Sequence, residues 1–149
     1  MEIIFKQATG NEHIKEIYEH TVDAFSDSPD FNWTVQEIKN EVKDGWDLYA
    51  CSTVENKEII AAVFFKVDND SLLTKNTAIK MHQQGSGYSH QIKKFFENKA
   101  RKLKLKKIKH YCRIDNFRMY SLNESHGYEK TGDNLGEDGQ VVEWTKVLK

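Results

Sequence analysis

Two glycines, Gly85 and Gly87, lie between a predicted strand at 72–81 and the clearest helical pattern in the sequence. The helix is predicted because its apolar residues recur on one stripe while charged residues occupy the other positions. The residues of that stripe are Ile92, Phe95, Phe96, Ala100 and Leu103. The segment 108–114 has the two-residue alternation that is typical of a strand. Strand, glycine loop, helix and strand together form a βαβ unit.

Strands are predicted on both sides of this unit, at 2–8, 46–54, 58–67, 127–131 and 141–148. Three further helices are predicted. Asn11 caps the first, whose apolar positions extend to Phe25. The second covers 34–43, and the third, a short one, covers 116–125. Loops are predicted at 26–32, which holds the only proline, and at 132–140, which is rich in Gly, Asp and Asn. The predicted fold class is α/β, with a mixed and strongly twisted sheet of about seven strands flanked by four helices.

The length of 149 residues fits one domain, 1–149. The longest apolar run, Ile59–Phe65, is far too short to span a bilayer, and the N-terminus lacks the pattern of a signal peptide. We therefore expect a cytoplasmic protein. Cys51 and Cys112 lie in apolar, strand-like segments and are predicted to be buried and reduced; a disulfide or a catalytic cysteine is the alternative. No Cys/His cluster has zinc-like spacing, so no metal is expected.

The formal net charge is −1, yet the segment 93–109 carries nine Lys or Arg and a single acid, Glu97. Three interpretations are open for this basic segment. It forms a solvated helix face, or it steers a polyanionic ligand whose phosphates approach Lys93 or Lys94, or it binds nucleic acid or a ribosomal surface. The overall charge and the absence of interleaved aromatic residues oppose the third interpretation.

Glycines at the start of a helix allow the backbone to adopt positive φ and to approach a ligand closely. A helix N-terminus also offers N–H donors and a partial positive charge, so the two together favour phosphate binding. An ordinary tight turn is the alternative. A P-loop would need Gly-Lys-Ser/Thr after the loop, and a dinucleotide fold would need a third glycine; Ser89 and His90 follow instead.

The segment Gln84-Gly85-Ser86-Gly87-Tyr88-Ser89 resembles the pyrophosphate loop of the GNAT superfamily of N-acetyltransferases, whose motif is Arg/Gln-x-x-Gly-x-Gly/Ala. Ser89 replaces the last small residue of that motif. Family members also commonly carry an Asn after the fifth strand and a Gly-Phe eleven residues later; Asn116 and Gly127-Tyr128 match that spacing. The resemblance implies direct transfer of an acetyl group, in a ternary complex, from acetyl-CoA to a primary amine of a small molecule or peptide.

The resemblance also implies roles for individual residues. Backbone N–H groups of Gly85, Ser86, Gly87, Tyr88 and Ser89 would hold the pyrophosphate. Gln84 would cap the loop or touch a phosphate. Ile79 and Met81 would pair their backbone with the pantetheine arm in a slot where the fourth and fifth strands splay. Asn116 would contact the cofactor, or it would simply cap the following helix.

Acetyl transfer needs a base for the amine and an acid for the departing thiolate. Many members of the family use a tyrosine seven residues after the Asn as the acid, but here that position is Asn123. Tyr120, one helical turn earlier, is the candidate acid, with packing as its alternative role. His82 is the candidate base, with a water chain as the alternative. Tyr128 is expected to fill the core.

Two other functions stay open: a non-catalytic acyl-CoA-binding or regulatory module, which Asn123 favours, and a nucleic-acid-binding protein that uses the basic segment. No membrane partner is expected. The acceptor amine is not encoded by any motif in the sequence, and a homodimer is an open alternative.

Overall fold

The computed structural model describes residues 2–21, 34–76, 79, 87–135 and 139–148. Within them the predicted α/β fold class is confirmed, because seven strands and four helices are present. Their order is β1 (Ile3–Gln7), α1 (Gly10–Thr21), α2 (Val35–Lys43), β2 (Asp47–Thr53), β3 (Ile59–Asp68), β4 (Ser71–Asn76), α3 (Tyr88–Lys102), β5 (Lys107–Arg113), α4 (Phe117–Ser125), β6 (Glu129–Leu135) and β7 (Val141–Val147).

All seven strands belong to one mixed sheet, in the order β1-β2-β3-β4-β5-β7-β6. Every neighbouring pair is antiparallel except β4 and β5, which α3 connects as a parallel pair. A parallel pair requires a crossover connection, and α3 supplies it. The βαβ unit inferred from the sequence is therefore the one place where the sheet changes from antiparallel to parallel pairing.

Each face of the sheet carries its own apolar core. On one face, Ile14 and Ile17 of α1 and Ile38 of α2 pack with residues of β2 and β3. On the other face, α3 packs against β3, β4, β5 and β7. The segment Ile59–Phe65 of β3 contributes to both cores, which explains why it is apolar throughout. Cys51 and Cys112 are buried and form no disulfide, as predicted.

Several predicted boundaries are wrong by a few residues. Helix α1 begins at Gly10, before Asn11, because the Thr9 N–H already donates to His13 Nδ1 at 3.2 Å. Strand β6 continues to Leu135, so the first part of the loop predicted at 132–140 is instead paired with β7. Pairing with a neighbouring strand outweighs the low strand propensity of Gly, Asp and Asn there.

The helix predicted after the glycine loop also ends earlier than its apolar stripe. Leu103 is the C-cap residue of α3 and is 45% exposed, so its assignment to the buried stripe is wrong. The apolar positions Val22 and Phe25 of the first predicted helix, the loop 26–32 and the end of the strand predicted at 72–81 lie outside the described residues. No helix in the described ranges is long and apolar enough to cross a membrane.

Lys93 of α3 is the least expected member of the core. Its side chain is only 2% exposed, its ammonium lies 4.5 Å from the centre of the Tyr128 ring, and Nζ has no hydrogen-bond partner. Burial lowers the pKa of Lys93 to about 7, against a smaller opposing effect of Cys112. Lys93 therefore does not belong to a solvated helix face, and its ammonium is not exposed to a phosphate. Both of these interpretations of the basic segment are wrong for this residue.

This burial predicts a specific dependence of stability on pH. The unfolded chain keeps Lys93 protonated up to about pH 10.4, whereas the folded chain releases that proton near pH 7. Because the unfolded state then binds more protons, Lys93 makes the free energy of unfolding rise with pH between these two values.

We expect Lys93→Met to raise the free energy of unfolding at pH 7.5 by about 2 kcal/mol, since an apolar chain of similar length needs no partner. Urea denaturation of both proteins across the range from about pH 7 to 10 measures this. The gain should shrink as pH rises. A gain that stays constant with pH would contradict the assignment of the titrating group to Lys93.

Candidate functional site

The parallel ladder between β4 and β5 is short. It joins Ser71–Thr74 to Lys107–His110, whereas β4 continues along β3 to Asn76 and β5 continues along β7 to Arg113. Beyond the ladder, the described residues of the two strands form no registered pairs with each other. We call this place the β4–β5 fork. It lies where the resemblance expects the pantetheine slot.

A side-chain hydrogen bond marks the base of the β4–β5 fork. The Thr74 hydroxyl donates to the backbone oxygen of Lys109 at 2.7 Å and lies 3.5 Å from His110 Nδ1. His110 is buried, and burial followed by the nearby charge of Lys93 lowers its pKa well below the usual range. His110 is therefore neutral at physiological pH, so the base of the fork carries no histidine charge.

Helix α3 begins beside the same end of the sheet. Its N-cap is Gly87, with φ +80° and ψ 9°, and no side chain caps the first turn. Within the part of the chain that the structure describes, no atom lies within 4 Å of a Cβ added at Gly87. The first turn contains no acidic residue that would compete for the positive end of the helix dipole. An anion at this helix end would meet favourable partial charges.

The predicted site residues of the loop fall into two groups. Met81, His82, Gln84, Gly85 and Ser86 lie outside the described residues. The described ones are Ile79, Gly87, Tyr88 and Ser89. Ile79 and Tyr88 are 8% and 2% exposed and belong to the core under α3, so any contact they make with a ligand is through their backbone.

Helix α4 holds the other predicted residues. Asn116 is its N-cap, and the Asn116 side chain accepts a hydrogen bond from the Met119 N–H at 3.2 Å. This is the capping role that the sequence offered as the alternative to a cofactor contact. Asn123, at the position of the family's tyrosine, is fully buried, and neither its Oδ1 nor its Nδ2 has a hydrogen-bond partner.

Tyr120 lies half-buried between α4 and the end of β5. Its hydroxyl donates to the backbone oxygen of Ile114 at 2.9 Å, and its ring packs edge-on against Trp144. Burial, followed by the charges of Cys112, Asp133 and Asp115, raises the pKa of Tyr120. The phenol is therefore protonated at neutral pH, at the carboxyl end of the strand that forms one side of the β4–β5 fork.

Two histidines connect α3 with α4 near the start of α3. His90 Nδ1 and His126 Nε2 lie 2.8 Å apart, so one ring donates to the other. Burial and then the neighbouring His90 lower the pKa of His126. This contact holds the C-terminal end of α4 against the first turn of α3. Neither residue was singled out by the sequence, because their pairing depends on how the two helices pack.

A hydrogen-bonded carboxylate lies on the face of the sheet away from α3. Glu143 of β7 is paired in register with Tyr111 of β5, and the Tyr111 hydroxyl donates to Glu143 Oε2 at 3.1 Å. The Thr131 hydroxyl of β6 donates to Glu143 Oε1 at 2.8 Å. No sequence motif marks Tyr111, Thr131 or Glu143. Strand alternation assigns Tyr111 to this face, but the register between β5 and β7 is not encoded by any local pattern.

The basic segment offers fewer free cations to a ligand than its composition suggests. Besides the burial of Lys93, Arg101 is paired with Glu97 at 3.0 Å, and the Lys99 ammonium lies 5.4 Å from the centre of the Tyr49 ring. Glu97 also accepts from Lys146 of β7 at 3.0 Å. No group of three or more His, Cys, Asp or Glu side chains that could hold a metal ion occurs in the described part of the chain.

No protein-family model matches the sequence, and no functionally curated protein matches it at a significant level. Solved structures match nearly the whole chain. The ribosomal-protein-S18-alanine N-acetyltransferase of Escherichia coli has a TM-score of 0.79 at 14% identity, over 99% of this chain and 95% of that chain. A GNAT family acetyltransferase of Elizabethkingia anophelis, with acetyl-CoA bound, has a TM-score of 0.75 at 20% identity, over 98% of both chains.

A mutant form of the spermidine N-acetyltransferase of Vibrio cholerae is a third match, with a TM-score of 0.74 at 15% identity over 97% of this chain and 93% of that chain. All three are similar along their full length, although few residues are identical. The chain therefore has the GNAT fold. At these identities the likeness establishes the fold, and the activity has to be argued from the site.

Proposed function

We propose that this protein is an N-acetyltransferase that moves the acetyl group of acetyl-CoA to a primary amine. The amine nitrogen attacks the thioester carbonyl, a C–N bond forms, the C–S bond breaks, and CoA leaves as a thiol. Transfer is direct, in a ternary complex, and no acetylated residue of the chain takes part. The proposal requires one site for a polyanionic, extended cofactor and a neighbouring site for an amine.

The observation that carries this proposal is the joint position of the β4–β5 fork and the start of α3. An extended arm needs backbone groups to pair with, and it finds them where two parallel strands stop pairing with each other. A pyrophosphate needs N–H donors and positive partial charge, and α3 begins there with Gly87 and without an acidic first turn. A tight turn with no ligand would not explain the fork.

In this proposal the loop 84–89 holds the pyrophosphate through backbone N–H groups from Gly85 to Ser89, with Gln84 at its start. Ile79 and Met81 offer their backbone to the pantetheine arm. Asn116 acts mainly by capping α4, which fixes the turn that follows β5. No metal ion takes part in this chemistry.

The sequence predicts two residues for proton transfer, Tyr120 as the acid and His82 as the base. Tyr120 protonates the departing thiolate, because its hydroxyl lies at the end of β5 and stays protonated at neutral pH. His82, between β4 and α3 in the chain, is the base proposed from the sequence. The acceptor is a small-molecule or peptide amine; among the similar structures are one named for a ribosomal-protein alanine and one named for spermidine.

A non-catalytic acyl-CoA-binding module is the second candidate. The observation that favours it is the buried Asn123, whose amide cannot serve as an acid and whose polar atoms have no partner. A nucleic-acid-binding function has less support, because the basic segment contains a buried lysine and an ion-paired arginine. Binding and turnover measurements distinguish these candidates.

Isothermal titration with CoA tests the cofactor half of the proposal. We expect the wild type to bind CoA, and we expect Gly87→Trp to abolish binding because the indole fills the phosphate position. Gly10→Trp is the matched control. Gly10 also begins a helix with φ +81° and open space around its Cβ, but it lies in α1.

Each variant places a side chain at positive φ, which costs about 1 kcal/mol, so their melting temperatures should fall by similar amounts. Only Gly87→Trp should lose CoA. Binding by Gly87→Trp within about twofold of the wild type would show that the phosphates lie elsewhere, and no binding by the wild type at about 1 mM CoA would overturn the proposed function.

Release of CoA from acetyl-CoA, measured with a panel of polyamines, aminoglycosides, amino acids and peptides, tests the transfer half. We expect Tyr120→Phe to lower kcat by about 100-fold with an unchanged Kd for CoA, because the thiolate loses its acid. Tyr128→Phe is the control, since the buried Tyr128 hydroxyl has no partner and takes no part. A Tyr120→Phe rate within about twofold of the wild type would remove Tyr120 from the mechanism, and CoA binding without acetylation of any amine would favour the regulatory module.

A further inference from the structure

The face of the sheet opposite α3 carries a carboxylate whose role the fold does not explain. Glu143 lies in the middle of β7 and is half-buried. Among the described residues, no lysine or arginine lies within ion-pair distance of it. Both of its oxygens accept hydrogen bonds from neutral hydroxyls, those of Tyr111 and Thr131. Glu143 is therefore held in place by hydroxyl groups, and no lysine or arginine of the described residues pairs with it.

The hydroxyl groups form a small network around this carboxylate. Thr131 Oγ1 lies 2.9 Å from Thr145 Oγ1. Thr145, two residues after Glu143 on β7, therefore holds the Thr131 hydroxyl that donates to Glu143. Burial, then the charge of Glu143 and its hydrogen bond, then the charge of Asp68 raise the pKa of Tyr111. The phenol therefore stays a proton donor to Glu143 throughout the physiological range.

Tyr111 connects this network to the β4–β5 fork. His110 is the last residue of β5 in the ladder with β4, and Tyr111 is the next one along the strand. Because successive side chains of a strand alternate between faces, Tyr111 points away from the buried His110 and from α3. The Tyr111–Glu143 pair thus lies beside the place where the ladder ends, on the face opposite Tyr120.

We propose that Glu143 is the general base that deprotonates the acceptor amine, and that Tyr111 and Thr131 are residues that position its carboxylate. This inference rests on the proposed acetyl transfer and replaces a histidine or a water chain as the base. A carboxylate that two hydroxyls hold in place attracts an ammonium group and can accept its proton, which is what the acceptor side of the reaction requires.

The bound ammonium gives one proton to the Glu143 carboxylate, directly or through one water, and its nitrogen then attacks the thioester carbon. As the C–N bond forms and the C–S bond breaks, Tyr120 donates its proton to the departing sulfur. The second surplus proton of the nitrogen then passes through water to the Tyr120 phenolate. Glu143 returns its proton to solvent. The products are the N-acetyl amine, CoA thiol and one released proton.

Other charged residues share this face of the sheet. They include Lys66 and Asp68 of β3, Lys75 of β4, Lys107, Lys109 and Arg113 of β5, and Glu129 of β6, and Asp68 also acts on Tyr111. Lys75 is paired with Glu41 at 2.8 Å and Arg113 with Asp115 at 3.1 Å. Glu129 offers a matched control, because it lies on the neighbouring strand and faces the same side, but it is exposed.

The experiment compares Glu143→Gln, Tyr111→Phe and Glu129→Gln with the wild type. Acetyl-CoA affinity is measured by calorimetry. The rate of CoA release is measured from about pH 5 to pH 10 with spermidine, with a peptide that begins with alanine, and with water alone as the acceptor. Calorimetry identifies a failure of the proposed function, whereas the rates with the two amines report on the base.

We expect Glu143→Gln to bind acetyl-CoA like the wild type and to lower kcat/KM for each amine by about 100-fold. Tyr111→Phe should lower kcat by about tenfold with an unchanged KM for the amine, because the carboxylate loses one of the hydroxyls that position it. Glu129→Gln should stay within about twofold of the wild type at every pH.

Two results overturn the inference while leaving the proposed function intact. One is a kcat/KM of Glu143→Gln within about twofold of the wild type with both amines. The other is an equal loss of rate in Glu143→Gln and Glu129→Gln, which would indicate a general effect of charge on this face. A wild type that binds acetyl-CoA but turns over neither amine nor water also overturns it, and a wild type that does not bind acetyl-CoA overturns the proposed function as well.

Discussion

The short ladder between β4 and β5 is the constraint on which the rest of the site depends. Strand β4 stays paired with β3 to Asn76 and β5 stays paired with β7 to Arg113, so each strand remains fixed by its antiparallel neighbour after the two stop pairing with each other. The carboxyl ends of parallel strands lie at one edge of the sheet, and α3 starts from that edge because it is the crossover between them. The fork and the first turn of α3 are therefore neighbours by topology.

The interior beside this fork departs from the usual rule that buried polar groups have partners. The atoms without one are Lys93 Nζ, His110 Nε2, both amide atoms of Asn123, Tyr128 Oη and Trp144 Nε1, and they come from α3, α4, β5, β7 and the residue before β6. Such groups lower stability, and natural proteins retain them mostly near functional sites. On the opposite face both carboxylate oxygens of Glu143 accept hydrogen bonds. The carboxylate there has partners, whereas the buried polar atoms beside the fork have none.

Local patterns were sufficient to predict the elements around the fork. The 3.6-residue stripe identified α3 and the two-residue alternation identified β5, while the phosphate site that the glycine spacing predicts at the start of α3 stays a prediction. The burial of Lys93 was readable in principle, because it lies three residues before Phe96 and seven before Ala100 on the same helical face. A lysine is normally assigned to the solvent side, and only tertiary packing overrides that preference.

Pairings between distant strands could not be read from the sequence in the same way. A shift of one residue between β5 and β7 would move Tyr111 away from Glu143, and no local signal fixes that register. The same holds for β6, whose Gly, Asp and Asn residues predict a loop although the strand reaches Leu135 through an irregular pairing with β7. The fold class was therefore predictable, while the carboxylate that we assign to the chemistry was not.

The arrangement also explains how acetyl transfer can proceed although Asn123 occupies the usual position of the acid. Tyr120 contacts Trp144, which faces α3, whereas Tyr111 and Glu143 point to the other face. A thioester held in the fork would have a proton acceptor on one side of the sheet and a proton donor on the other, so neither group can neutralise the other directly. Moving the acid by one helical turn keeps this separation, because Tyr120 still reaches the end of β5 at Ile114.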